Sequence, residues 1–300
     1  MSLSSRTGAL AASAAAVTIW GVSFIATKVA LRETGPFQVI WIRFGIGVIV
    51  LGVVVAARRE FSWPSLSELW RFAFLGFLGI SVHQWLQVTG LMTAQASTTA
   101  WIVSTSPVFI AIIGWMVLRE PMDLARVLGM VLAAAGVFGV ITKGDLARLW
   151  GGGLNTTGDG LVLGSAITWA LFSVFSRRFL RHQSPSRMLF FVMLSGWFCT
   201  SLLLVLTGQS LPGPSLSGEA MAALMFLGFF CSGIAYVFWY DALHHLPVSQ
   251  VGSLLFFEPL ITIVAAATLL GETVTIGAVV GGVMILAGVW LVTRPRHTTT

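Results

Sequence analysis

The sequence predicts an all-α integral membrane protein: ten transmembrane helices arranged as two inverted five-helix repeats, with both termini cytoplasmic. Three observations predict it. The 300-residue chain is 56% hydrophobic and only 9% charged, where a soluble domain carries about 25% charged residues. The apolar residues fall into ten stretches, each near the length of about 20 residues that a helix needs to cross hydrocarbon. The chain also repeats itself: "WIVSTSPVFIAIIGWMVLREP" from Trp101 and "SLLFFEPLITIVAAATLLGET" from Ser253 align without gaps at an offset of 152.

Composition excludes several classes. Twelve Trp, 21 Phe and 32 Gly suit lipid better than water, since aromatic residues and Gly are favoured in membrane spans. The net charge of +6 does not describe a nucleic-acid binder, because the basic residues sit in short clusters between apolar runs and form no basic face. The two cysteines, Cys199 and Cys231, lie inside apolar runs and read as small buried hydrophobes, not as a disulfide or metal framework. A cleavable leader places small residues after its apolar core. Here "ALAASAAA" opens the first run, so that run is expected to stay as the first span.

Breaks at Gly, Pro and charge clusters place the spans, in order, at 10–31, 37–57, 70–91, 96–118, 124–142, 159–180, 187–207, 220–242, 248–270 and 276–293. Pro36 and Pro185 open the second and seventh spans, and Arg58 and Arg59 close the second. The longest linker, Lys143 to Gly160, separates the fifth span from the sixth. Helices are required because lipid offers no partner to an open backbone group. The alternating strands of about ten residues that a barrel needs are absent. With the N-terminus inside, twelve Lys and Arg fall on cytoplasmic segments and five (Lys28, Arg32, Arg43, Lys143, Arg148) outside, the bias that sets orientation.

The repeat reaches beyond the quoted segments. At the offset of 152, Pro107 falls on Pro259, Glu120 on Glu272, Gly129 on Gly281 and Gly136 on Gly288. Nearer the N-terminus the offset is 149, and Trp20 falls on Trp169, Lys28 on Arg177 and Pro36 on Pro185. The halves are therefore expected at 1–148 and 149–300. Five spans is an odd number, so the second half enters the membrane from the other side. Inverted repeats of this kind build their sites near the midplane, between the halves.

Pro107 and Pro259 are read as paired kinks in spans four and nine, where each removes a backbone hydrogen bond. Around them the expected binding residues gather: Trp20 and Phe24 in span one; His83, Gln84 and Gln87 in span three; Trp101 and Thr105 in span four; Trp169 in span six; Tyr236, Trp239 and Tyr240 in span eight; Phe257 and Glu258 in span nine. Aromatic walls with a few hydrogen-bonding groups suit a small molecule. Glu258 stands out, because a charge at mid-membrane costs about 2.5 to 3.5 kcal/mol. It could bind an amine, carry a proton or brace the kink. The first copy has Ser106 at the equivalent place, so the proline is needed twice and the carboxylate once, which argues for a functional duty. Lys28 and Arg43 are expected near a membrane edge, where long side chains reach the interface. Asp241, His244 and His245 are expected in a solvated loop. The small residues of spans five and ten are expected to pack helix on helix.

Trp20, Gly21 and Lys28, Pro36, the Arg43 and Phe44 pair, Pro107 with Glu120, Glu258 with Pro259, and Gly271 with Glu272 together resemble the EamA-type branch of the drug/metabolite transporter superfamily. The resemblance implies a ten-helix secondary transporter that exports small amphipathic metabolites, amino acids including aromatic ones, by alternating access. With only Lys28 and Arg43 as basic candidates, phosphorylated cargo is not expected. An exporter of organic cations is the alternative, since aromatic cages and a carboxylate bind such ions. An intramembrane enzyme is the distant one: HExxH, G-x-S-x-G and paired-Asp motifs are absent. No cofactor, metal or nucleic acid is expected; the partners are a small-molecule substrate and the bilayer, with a monomer as the working unit in the inner (cytoplasmic) membrane. The charge bias predicts that cysteine at position 59 (Arg59→Cys) reacts with a membrane-impermeant thiol reagent only from the cytoplasmic side; labelling of whole cells against inverted vesicles checks it.

Overall fold

Several helices begin where the chain supplies a cap or a proline. In the computed structural model, which describes residues 6–119, 122–145, 156–179, 184–210, 216–246, 251 and 254–293, α1 spans Arg6–Ala30 and α2 spans Pro36–Ala57. Pro36 sits in the first turn of α2, where its missing N–H costs nothing, and Gln38 Oε1 accepts from Gly35 N at 2.8 Å. Ser65 caps α3 (Leu66–Gly76) in a reciprocal arrangement with Glu68, satisfying two open donors. A π-helical segment, Phe77–Val82, joins α3 to α4 (His83–Leu91). After α5 (Ala96–Val103) and α6 (Ser106–Leu118), Asp123 Oδ1 accepts from Arg126 N at 2.8 Å to start α7 (Leu124–Ile141).

The second half runs α8 (Thr156–Phe179), α9 (Pro185–Leu206) and α10 (Gly218–Met225), then a second π segment, Phe226–Ile234, and α11 (Ala235–His245). A 3-10 turn at Leu254–Phe257 leads into α12 (Glu258–Leu269), and α13 (Ile276–Thr293) follows. Eight helices are long and apolar enough to cross a membrane, and no strand occurs among the described residues. The expected third span, now α3 through α4, falls outside those eight; its polar His83, Gln84 and Gln87 lower its apolar character. The ninth is seen as the shorter run Leu254–Leu269. The expected termini and residues Glu120 and Ser253 lie outside the described residues, as does the side chain of His244.

Pro107 does not kink a continuous helix. The fourth span is interrupted at Ser104 and Thr105, and Pro107 lies in the first turn of α6. At the interruption three consecutive hydroxyls turn back onto carbonyls of the preceding turn, and Ile102 O also accepts from Thr105 N at 3.1 Å. Ser104 Oγ donates to Trp101 O at 2.7 Å, Thr105 Oγ1 to Ile102 O at 2.6 Å and Ser106 Oγ to Val103 O at 2.6 Å. Val103 would otherwise look to the nitrogen of Pro107, which carries no hydrogen. Pro259 likewise lies in the first turn of α12.

Helices of the first half pack mostly on helices of the second: α2 on α9, α7 on α13, α1 on α11 and α4 on α8. Two contacts are reciprocal under the sequence offsets. Gly129 packs on Gly288 and Gly136 on Gly281, so close that an added Cβ would stand 2.6 and 2.5 Å from the facing carbonyl oxygen. The offset of 152 exchanges these two contacts. Gly47 of α2 packs on Ser232, and its equivalent Gly196 packs on Ile80, the equivalent of Ser232. Outward faces carry Ile49, Val53, Met116, Val131, Val205 and Val283, all exposed, as a lipid-facing surface requires.

The two ends differ. At one, Arg58 makes a two-point contact with Asp241 at 2.8 and 2.7 Å and a bond to Ser186 at 3.0 Å. Asp241 is thus a paired residue, not the free loop carboxylate expected, because Arg58 ends α2 beside it. Arg187 joins Glu68 at 3.2 Å nearby. At the other end Lys28 meets Glu272 at 3.5 Å, and Glu33 accepts from the hydroxyl and amide of Ser217, which hold its carboxyl below the usual range. Gly281→Val is expected to force α7 and α13 apart at a cost of about 1–3 kcal/mol, read as a lowered thermal midpoint of the purified protein in detergent.

Candidate functional site

The π segments shape the centre. An α-helical Ala235 N–H would bond Cys231 O; here it reaches Phe230 O instead. Cys231 O is left open, and Trp20 Nε1 from α1 donates to it at 3.2 Å. The Trp20 ring then meets Tyr236 edge-on with centroids 5.4 Å apart and Trp239 at 5.3 Å. In the first π segment His83 N–H likewise reaches Leu78 O and skips Gly79, the residue equivalent to Cys231 at the offset of 152. The local widening of a π turn, common at functional sites, therefore recurs at matched positions.

A second aromatic group mirrors the first. Trp169 of α8, equivalent to Trp20, lies 5.1 Å from His83 and 5.1 Å from Phe172. His83 Nδ1 is 2.9 Å from Ser165 O. A carbonyl only accepts, so Nδ1 carries the proton and Nε2 of the neutral ring is left as an acceptor. Tyr240 packs in the same core as Tyr236, and Gln84 and Gln87 are buried on α4.

Backbone packing holds the start of α12, and with it Glu258, against α1. Thr262 Oγ1 bonds both Gly21 O at 2.8 Å and Glu258 O at 3.0 Å, and a Cβ at Gly21 would lie 3.1 Å from Glu258 O. Any side chain at position 21 would push α12 away from α1. The Glu258 carboxyl is within electrostatic reach of Cys231 and Tyr236, and it has no ion-pair partner among the described residues.

Four expected site residues are placed elsewhere. Trp101 packs on Gly282 of α13 in a satellite core with Val108, Ala133 and Ile285, and its Nε1 has no partner among the described residues. The Thr105 hydroxyl is committed to the interruption in span four. Phe257 is 55% exposed. Phe24 packs with Leu91, Ala100 and Ala266. It forms a layer between the Trp20 group and an open cavity of about 400 Å³ lined by Lys28, Leu31, Arg32, Leu91, Gln95, Leu270 and Glu272 among others. Trp20, Phe24 and Lys28 follow at i, i+4 and i+8, so one stripe of α1 runs from the aromatic centre to the cavity. Glu272 fixes this mouth by accepting from Ala96 N at 2.8 Å, Ser97 N at 3.1 Å and Ser97 Oγ at 2.7 Å. Lys28 thus sits in the last turn of α1, near the end of its helix.

Arg43 does not. It is only 5% exposed, with Nε 2.8 Å from Ser232 Oγ and Nη1 3.4 Å from Gln84 Oε1. The chain held the signal: Pro36 opens α2, and seven residues of helix carry Arg43 about 10 Å inward. Ser232 had no such signal, since only the π segment turns it toward α2.

Helices, lipid-facing surface and buried polar centre together define a multi-pass membrane transporter. The EamA-like transporter family model matches residues 6–142 and again 156–294, and the chain belongs to that family. An uncharacterized transporter of Archaeoglobus fulgidus is 28% identical over 279 residues, covering 93% of this chain and 95% of that protein. A probable terminal-alkyne amino-acid exporter of Streptantibioticus cattleyicolor is 27% identical, covering 93% and 91%. A probable amino-acid metabolite efflux pump of Salmonella typhimurium is 25% identical, covering 92% and 91%. A crystal structure with 21% sequence identity superposes with a TM-score of 0.65 over 96% of this chain and 97% of that one, and so shares the fold. The placement of Trp101 predicts that Trp101→Ala acts on folding, at a cost of about 3–5 kcal/mol; thermal unfolding in detergent, beside transport by whatever protein remains folded, checks it.

Proposed function

We propose that this protein exports amino acids, aromatic ones included, from the cytoplasm by alternating access through the centre where Trp20, Tyr236, Trp239 and Glu258 converge. The observation that carries the proposal is Glu258, a carboxyl within electrostatic reach of Tyr236 and with no counter-ion among the described residues. A cargo ammonium would supply that charge, and ring faces add attraction for it. The names of the two amino-acid exporting relatives support this reading.

The architecture is proposed as two inverted five-span halves, 1–148 and 149–300, ten spans in all, with both termini cytoplasmic in an inner membrane. The reciprocal glycine contacts and the paired π segments support it. Two layers would alternate: the Phe24 layer under the cavity, and the Arg58 and Asp241 pair at the other end. Organic cations would use the same rings and carboxyl. A buried guanidinium, always protonated and within electrostatic reach of Tyr236, weighs against them.

Glu258→Gln keeps shape and removes the charge. Because a hydrogen bond to a charged group contributes about 1.5–3 kcal/mol, efflux of labelled tryptophan from proteoliposomes is expected to fall at least about tenfold. A folded Glu258→Gln protein with the wild-type rate and affinity overturns the proposal.

A further inference from the structure

Arg43 is a buried charge to which nothing above assigns a binding role. It sits inside the bundle at a depth where an unpaired ion is costly, and no carboxylate lies within ion-pair distance of it among the described residues. Its two protein acceptors, Ser232 Oγ and Gln84 Oε1, are neutral. A guanidinium has five N–H donors, so three remain, enough for a two-point contact with a carboxylate. Both acceptors come from the reshaped helices: Ser232 lies within the second π segment, and Gln84 is the second residue after the first. The close packing of Gly47 on Ser232 holds α2 against that segment, and the Phe44 ring lies 5.2 Å from the guanidinium carbon. The fold therefore fixes the cation in place while leaving it without an anion among the described residues.

Its position relative to Glu258 matters. Both groups act electrostatically on Cys231 and Tyr236, yet they do not pair with each other. A cation and a carboxyl that both act electrostatically on the same two residues, each without a counter-ion among the described residues, match a ligand that carries both charges. Resting on the amino-acid reading above, we propose that Arg43 binds the carboxylate of the cargo, so that the carrier selects zwitterionic amino acids over the corresponding amines. Ser232 and Gln84 then act as positioning residues that aim the fork.

A purely structural Arg43, tying α2 to α4 and the second π segment, would affect yield but not discrimination. The test is the efflux ratio of labelled tryptophan to tryptamine, which differ only in the carboxylate, from proteoliposomes holding the full-length protein. The wild type is expected to favour tryptophan, and Arg43→Gln to reduce that preference by roughly 10- to 100-fold, mainly through a higher KM for tryptophan. If Arg43→Gln does not fold, Gln84→Glu decides, since it gives the guanidinium an internal carboxylate that competes with the cargo and should reduce the ratio in the same direction. A folded Arg43→Gln protein with the wild-type ratio, or a folded Gln84→Glu protein with it where Arg43→Gln fails to fold, overturns the role of Arg43 and leaves the amino-acid reading standing. A wild type that carries tryptamine at least as well as tryptophan, or carries neither, overturns both.

Discussion

Backbone hydrogen bonding in a medium that offers none is the constraint on which the rest of this structure depends. A helix that crosses lipid must satisfy its own N–H and C=O groups, so any departure from α geometry needs a local answer. At the interruption of span four that answer is the run Ser104, Thr105 and Ser106, whose hydroxyls take the carbonyls of Trp101, Ile102 and Val103. At the second π segment it is Trp20, which takes Cys231 O from another helix. The irregular backbone is thus tolerated only where protein surrounds it. That is also where polar and aromatic side chains collect.

Packing between the halves depends on close approach at glycine. Gly129 with Gly288 and Gly136 with Gly281 bring α7 and α13 to backbone contact. Without a hydrophobic drive between helices in lipid, such close approach is the main source of their association. Gly21 does the same for α1 and α12, where it packs on Ile261 and on the backbone oxygen of Glu258. The glycines are therefore part of the site although none offers a functional group. Their missing side chains determine how far the functional ones stand from each other.

The two ends of the bundle are held by different chemistry. Arg58 and Asp241 form a two-point pair flanked by Ser186, whereas the other end leaves an open cavity with Lys28 and Glu272 at its mouth. A carrier needs one end closed while the other is open. Ion pairs near an interface are suited to this, because water can replace each partner when the pair parts, so their net contribution is only about 0–1 kcal/mol. The Phe24 layer, made of apolar side chains, separates the cavity from the aromatic centre.

By itself the sequence determined the class of fold, the order of the helices and the doubling of the chain. These depend on local quantities: the apolar run a bilayer needs, the cap or proline that starts a helix, and the spacing of Pro, Gly and Trp between the copies. It also singled out Glu258, since a carboxylate in an apolar run is conspicuous without any structure. Tertiary structure alone decided which of the aromatic residues meet. Trp20 and Tyr236 are 216 positions apart, and their contact depends on a π turn that hydrophobic periodicity does not register. Trp101 and Trp20 look alike in sequence, yet one fills the space over Gly282 and the other faces the centre. Arg43 shows the same limit. Its depth could be counted from Pro36, but its lack of an anion among the described residues depends on what α4 and the second π segment bring to it, and only their packing sets that.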